Sequence, residues 1–444
     1  MSSLSIDQTR PTSVARRHPA SWQPRRRATL IIAILGMLGL MLLPFLAKDY
    51  GLIIYSDGIG YYAYLPATFI ERDLTFETMK HLYPLHLYAF QPYPSTGIYL
   101  NKYPIGVAVM LLPFFLAAHA ISALVGAPLT GWAPIYQVAA GLGGLSYMVL
   151  GVALLGELLA RHFSERVVVA TLACIVFGTN LYHYGTFDPT MSHAYSFFLI
   201  TALLLATPWW YERPTIARSA LLGLVAGLIV LTRNLNVLFL VTIPLYGLRS
   251  RADVTARLRF FQSNVLPLAT MGSVAALLLL PQLAYWRFAT GSWLVYSYQG
   301  EGFNFAQPRL LEVLFSVQKG LFFWSPLLLL AVAGFWGLRR FAPAYLASVL
   351  VALPLHTYLV ASWHSWQFGW SYGHRAFTDA MAFFALGLAA FLAALRGRRA
   401  RAVGIWCAML VALSIFQMFQ YWQKIVPPQD TTWEIYRSIF LRLW

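Results

Sequence analysis

Charge is what this sequence has least of. Asp, Glu, Lys and Arg make up 11% of its 444 residues, against about a quarter in soluble domains. So few charges cannot cover a water-facing surface, which excludes a soluble enzyme, and the apolar content excludes a disordered chain. Cysteine is scarcer still. The two present, Cys174 and Cys407, each sit inside an apolar run and read as small core residues, so neither a disulfide scaffold nor a thiolate metal site is expected. Also missing are a GxxxxGK[ST] phosphate loop, a HExxH zinc helix and a dinucleotide fingerprint. What is present is hydrophobic: 59% of residues, with a mean hydropathy of +0.61. These values describe an all-α polytopic membrane protein.

The net charge of +16 follows membrane topology rather than nucleic-acid binding, because the basic residues lie between apolar runs and not on one folded surface. Six arginines (Arg10, Arg16, Arg17, Arg25, Arg26, Arg27) occupy a Pro/Ser-containing tail over 1–27. The run Ala28–Ala47 is long enough to span and has Phe45 where a signal-peptide cleavage site needs a small residue, so it reads as an uncleaved first helix.

Further apolar runs are Tyr103–Gly126, Trp132–Ala160, Val167–His183, His193–Trp210, the pair Ala217–Leu231 and Asn236–Leu248, and Asn264–Trp286. Gly320–Leu338, Ala342–Ser362, Ala376–Leu395 and Ala402–Gln423 complete the set. Basic clusters punctuate them at Arg161/Arg166, Arg213/Arg218, Arg249/Arg251/Arg257/Arg259, Arg339/Arg340 and Arg396/Arg398/Arg399/Arg401. If Tyr103–Gly126 spans, all of these alternate to the outer side. If it lies on the outer side as an interfacial or re-entrant helix, as Lys102, Pro104 and Pro113 suggest, all fall inside. The second reading puts 20 of the 32 basic residues in the cytoplasm with 5 acidic ones, leaving 12 basic and 11 acidic outside, as the positive-inside rule expects. About 11 transmembrane helices result, with a membrane domain over 28–423, long outer loops over 48–131 and 287–319, and a short outer tail over 424–444. Within the loops, Ile59–Met79 is amphipathic, Tyr83–Tyr99 is Tyr/Pro-rich, and Pro308–Gln318 predicts an interfacial helix. Loops of this length are usually functional.

Ionisable residues near bilayer depth are costly and therefore mark function. Asp57, Lys102, Asp188, Arg233, Arg287, His374, Arg375 and Asp379 all fall at the outer ends of the helices, where one cavity would gather them. Each has an ordinary reading. Asp57 suits a turn or helix cap, Lys102 a snorkelling anchor, and Asp188-Pro189 a turn that starts a helix. The functional reading makes Asp57 a general base whose pKa rises beside apolar surface. Arg233 is harder to explain away. It sits at the tip of a hairpin of two short helices, and an arginine there needs an anion or a carboxylate as partner. The run Trp363–Arg375 (WHSWQFGWSYGHR) is either an interfacial aromatic loop or a sugar-binding wall, with His374 and Arg375 suited to a phosphate.

Taken in order, these segments resemble the C-type integral-membrane glycosyltransferases, in particular lipid A aminoarabinose transferases, protein O-mannosyltransferases and their bacterial relatives. The likeness rests on Ser56-Asp57-Gly58 after the first helix, Tyr61-Tyr62-Ala63, Lys102-Tyr103-Pro104, Phe187-Asp188-Pro189, Thr232-Arg233 and Gly369–Arg375, and covers about residues 28–395. Two departures stand out: Gly58 occupies a place where the family often has Glu, and Tyr103 interrupts a Lys-Pro motif. The resemblance implies a polyprenyl-phosphate-linked monosaccharide as donor and inverting transfer to a lipid, glycan or protein hydroxyl. It places the site on the outer face of the membrane; the lack of organelle signals and the uncleaved anchor point to a bacterial inner membrane, and the arginine tail to a cytoplasmic N-terminus. Asp57 would be the base; Lys102, Arg233 and Arg375 would stabilise the charge on the departing phosphate, with His374 also among the substrate-binding residues, and Asp188 would hold the acceptor or sugar, or help position Asp57. No cofactor is called for, although two carboxylates leave a divalent metal open; the spacing names no ligand set. A transporter or flippase of a lipid-linked or anionic solute is the main rival, with no inverted repeat in the hydropathy to support it. An enzyme joining whole glycan chains differs from the leading reading mainly in donor size.

Overall fold

A computed structural model describes residues 35–36, 52–78 and 89–443 of the chain. The basic tail and nearly all of the expected first span, Ala28–Ala47, lie outside the described residues. Among the described residues the regular structure is helical, apart from one small hairpin and an isolated bridge, Phe303 to Trp363.

Early in the described residues the chain turns at Ser56, whose φ of 53° is unusual for a residue with a side chain. It then enters α1 (Asp57–Tyr62), which continues through Tyr64–Pro66 into a π turn, Ala67–Glu71. The Tyr/Pro-rich stretch forms a hairpin that its composition does not announce: β1 (Phe90–Pro92) pairs antiparallel with β2 (Tyr99–Asn101). Pro92 is tolerated because a two-stranded ribbon is all edge.

Next come α2 (Gly106–Leu124), α3 (Pro134–Ala160), α4 (Glu165–Phe177), α5 (Leu181–Thr186), α6 (Ser192–Glu212) and α7 (Ile216–Thr232). The second arm of the expected short-helix pair is a 3₁₀ stretch, Asn234–Val241, followed by one α turn, Thr242–Leu245. The basic segment after it forms α8 (Arg251–Ser263), opened by a capping box in which Ser250 and Asp253 bond each other's backbone. No residue of α8 is buried. The remaining helices are α9 (Val265–Thr290), α10 (Leu310–Phe315), α11 (Leu327–Gly334), α12 (Leu346–Ser362), α13 (Met381–Ala394), α14 (Gly397–Trp422) and α15 (Trp433–Ile439).

Among the described residues, seven helices are long and apolar enough to cross a membrane: α2, α3, α6, α9, Pro343–Ser362, Arg375–Ala394 and Gly397–Trp422. Burial sorts them. The Arg375–Ala394 segment is 83% buried and forms the centre, while α9 is 11% buried and turns its leucines outward, as a lipid-facing helix does. α3 packs along α6, α7 along α9 and α11 along α13.

Two expectations change. The run Gly320–Leu338 is not one helix: it breaks at Ser325-Pro326 and again at a 3₁₀ turn, Phe335–Gly337. The helix expected over Pro308–Gln318 shrinks to α10, because the chain extends at Ser316. By contrast, α2 is a continuous helix in spite of Pro113. Its first turn meets the tip of α7 at Leu231–Thr232, and its later turns lie on the first half of α3 through Phe115–Tyr136, His119–Tyr136 and Phe114–Tyr147.

Candidate active site

A cavity of about 1150 Å³ opens at the ends of these helices. Its wall includes Asp57 from α1, Lys102 just after β2, Asp188 from the α5–α6 turn, Arg233 from the tip of α7, and Arg375 from the turn before α13. Five predicted site residues, spread over more than 300 positions, thus face one space.

Two glycines explain how the segments come so close. A Cβ on Gly58 would lie 2.2 Å from Thr190 Oγ1, and one on Gly106 would lie 2.4 Å from the backbone of Leu231. The Asp57 turn is therefore pressed against the Asp188-Pro189-Thr190 turn, with no room for the glutamate that the resembled family often carries at 58. Lys102 is aimed by backbone on both sides: Asn101 Nδ2 donates to the Gly60 carbonyl at 2.7 Å, and Ser297 Oγ donates to the Lys102 carbonyl at 2.8 Å.

The charges are matched. Arg375 Nη2 lies 2.9 Å from Asp57 Oδ2, Lys102 Nζ 2.8 Å from Glu301 Oε1, and Arg233 Nη1 3.3 Å from Asp379 Oδ2. Asp379 also binds His193 Nδ1 at 2.8 Å. The pairing answers the requirement that an arginine at this depth have a partner.

It also corrects the expectation for Asp57. Burial raises its carboxyl, but the Arg375 guanidinium, the Tyr103 hydroxyl and Lys102 together bring it below the ordinary carboxylate range. The carboxyl near neutrality is Asp188, which burial pushes up to about 7 against the pull of Arg375. Asp188 Oδ2 meets His183 Nε2 at 3.0 Å, and its Oδ1 has no hydrogen-bond partner among the described residues.

Three of the eight ionisable candidates do not line the cavity. Arg287 is exposed and bonds the Gly291 carbonyl at the end of its own helix. His374 is buried behind the wall, packed on Phe377 and Phe368. The Phe368 ring in turn sits under both the Arg233 and Arg375 guanidiniums, at 5.3 and 5.8 Å. Asp379 is fully buried and reaches the site through Arg233 and His193.

Several site residues escaped the sequence reading. His193 and Glu301 carried no local motif: one opens an apolar helix, and the other sits between two glycines in a long loop. The aromatic wall of Tyr61, Tyr103, Tyr298 and Trp363, with neighbouring ring centroids 4.5, 6.3 and 5.7 Å apart, is the part most suited to a sugar face. The C-terminal tail contributes Lys424, Pro428 and Gln429. Buried Lys319 ties that tail down by donating to the carbonyls of Ser371 and Pro428. Among the described residues no three His, Cys, Asp or Glu side chains converge to hold a metal. Asp57 is engaged by Arg375, and Asp188 by His183.

No protein-family model matches this chain, and no curated protein does. Among solved structures, the apo oligosaccharyltransferase of the archaeon Archaeoglobus fulgidus is similar, with a TM-score of 0.50 and 14% identity, over 95% of this chain and 60% of that one. The present chain thus spans about 60% of the length of that protein. The likeness is one of fold: this chain is an all-α polytopic membrane protein built like a membrane oligosaccharyltransferase.

Proposed function

We propose that this protein is a membrane glycosyltransferase that moves a monosaccharide from a polyprenyl-phosphate donor to an acceptor hydroxyl, with inversion. We place its site on the outer face of a bacterial inner membrane. The observation that carries the reading is the convergence on one cavity of Asp57, Lys102, Arg233 and Arg375 with an aromatic wall, from segments far apart in sequence. The fold likeness to an oligosaccharyltransferase supports it.

The roles follow from the chemistry. Asp57 accepts the proton of the acceptor hydroxyl as its oxygen bonds to the anomeric carbon. The bond from that carbon to the phosphate oxygen breaks, and its electron pair leaves with the polyprenyl phosphate, which gains one negative charge. Arg375, Lys102 and Arg233 are placed to stabilise that charge; one such donor is typically worth about 2.7–4 kcal/mol of barrier. Asp188, with Oδ1 unpartnered among the described residues, is placed to accept a hydrogen bond from a sugar or acceptor hydroxyl. His374 acts indirectly, by holding Phe368 beneath the two arginines.

Mass spectrometry of lipid-linked sugars in cells expressing wild type or Asp57→Asn tests the reading. One polyprenyl-phosphate monosaccharide should accumulate in the mutant while a surface glycan loses the same mass. Unchanged pools at equal protein level would overturn it and favour transport.

A further inference from the structure

The three cations assigned to the donor phosphate are all matched with carboxylates in the structure: Arg375 with Asp57, Lys102 with Glu301, and Arg233 with Asp379. A phosphate held by any of these three must therefore exchange with that cation's carboxylate. The pairs are not equally able to open. Asp379 is fully buried behind the wall and also holds His193, so withdrawing Arg233 would leave a carboxylate in the protein interior. The Lys102–Glu301 pair is at least as exposed, at 14% and 26%, but lysine offers a point charge rather than a fork. Asp57 and Arg375 both line the cavity, their side chains are 15% and 12% exposed, and the guanidinium presents the planar donor pair that phosphate oxygens fit.

We infer that the donor's phosphate binds by displacing the Asp57 carboxylate from Arg375, so that the base is released only when donor occupies the site. This inference rests on the proposed glycosyl transfer. Held by Arg375, Asp57 is a poor proton acceptor, and the resting enzyme is not poised to deprotonate an acceptor or water. Once the phosphate takes the guanidinium, the carboxylate loses its nearest counter-ion beside the sugar, where the acceptor hydroxyl arrives. The order is donor first, then deprotonation; departure of the lipid phosphate lets the ion pair close again.

The experiment measures binding of a short-chain polyprenyl phosphate, and separately of inorganic phosphate, to the purified full-length protein in detergent. Asp57→Asn removes the competing carboxylate and should bind the lipid phosphate at least about tenfold more tightly than wild type, the low end of what close charge pairs are worth. In an Arg375→Ala background the same substitution should bring little gain. A gain with inorganic phosphate as well assigns the exchange to the phosphate group; a gain with the lipid alone assigns it to the lipid headgroup. Equal or weaker binding by Asp57→Asn, or an equal gain without Arg375, overturns the exchange and leaves the transferase reading standing. Failure of every variant and wild type to bind either probe overturns the donor class, and the exchange with it. A structure of wild type with lipid phosphate bound guards against misfolded variants: Asp57 and Arg375 should be more than about 4 Å apart, and an intact pair refutes the inference.

Discussion

Replacing Gly58 with alanine is the smallest change that tests how this site is assembled. The new Cβ would sit 2.2 Å from Thr190 Oγ1 and 3.0 Å from Thr190 Cβ, while the nearest backbone atom of Thr190 is 3.5 Å away. The first two distances are overlaps that something must relieve, and the third is ordinary contact. Thr190 cannot simply rotate away, since it is buried and its hydroxyl bonds the Ile53 carbonyl at 3.3 Å. Overpacking a tight contact of this kind costs about 1–3 kcal/mol. Here the overlap falls on position 58, the residue beside Asp57, and a shift of about 1 Å in a reacting group is enough to cost about a hundredfold in rate. Gly58→Ala should therefore melt earlier in detergent and lose most transfer activity. Adding Thr190→Gly, which removes both overlapping atoms, should restore much of each. A Gly58→Ala protein with wild-type melting and activity would refute the claim that close approach of these two turns builds the site.

Two further outcomes are expected. Arg233→Ala should destabilise the fold by up to about 3–5 kcal/mol, because it leaves the fully buried Asp379 with His193 but without its arginine. Arg233→Ala with Asp379→Asn should recover much of that, as thermal melts of both would show; equal loss in the double variant would refute the buried-pair account. For Asp188 the sign follows from its raised pKa. The folded protein holds this proton up to about pH 7, whereas the unfolded chain releases it near 4. Wild type therefore loses stability from this group as pH rises from about 4 to 7, and the full penalty remains above that. Asp188→Asn has no such penalty, so its melting advantage over wild type should grow across that window and then level off. A constant difference from pH 4 to 8 would count against a buried, high-pKa carboxyl.

Matched charge gives the cavity its character. An arginine at this depth without a carboxylate would be too costly to keep, and a carboxylate without a cation would hold its proton. Pairing solves both problems but leaves a resting site in which the assigned base is already occupied. Asp188, outside any pair with Arg or Lys among the described residues, shows the other outcome, with its carboxyl pushed up by burial.

Much of the molecule was legible in the chain because its signals are local. Low charge and long apolar runs dictate membrane helices, since hydrocarbon admits no unsatisfied backbone. Acidic or basic residues at the ends of those runs marked Asp57, Lys102, Asp188, Arg233 and Arg375 for the same reason. What lies inside an apolar run is less visible: Pro326 broke a helix that hydropathy reads as continuous, whereas Pro113 did not break α2, because the outcome depends on what packs around the gap. His193 and Glu301 gave no signal, since each gains its meaning only from a partner 186 or 199 residues away in sequence.

The sequence by itself determined that this is a many-helix membrane protein with ionisable residues gathered at one end. Tertiary structure decided the rest. It paired Arg375 with Asp57 and so lowered a carboxyl expected to rise, left the raised pKa to Asp188, set His374 behind the wall, and brought the C-terminal tail to the cavity rim. The physical reason is that apolar partition depends on each segment's own composition, whereas a charge's behaviour depends on its nearest neighbours, and only folding chooses those.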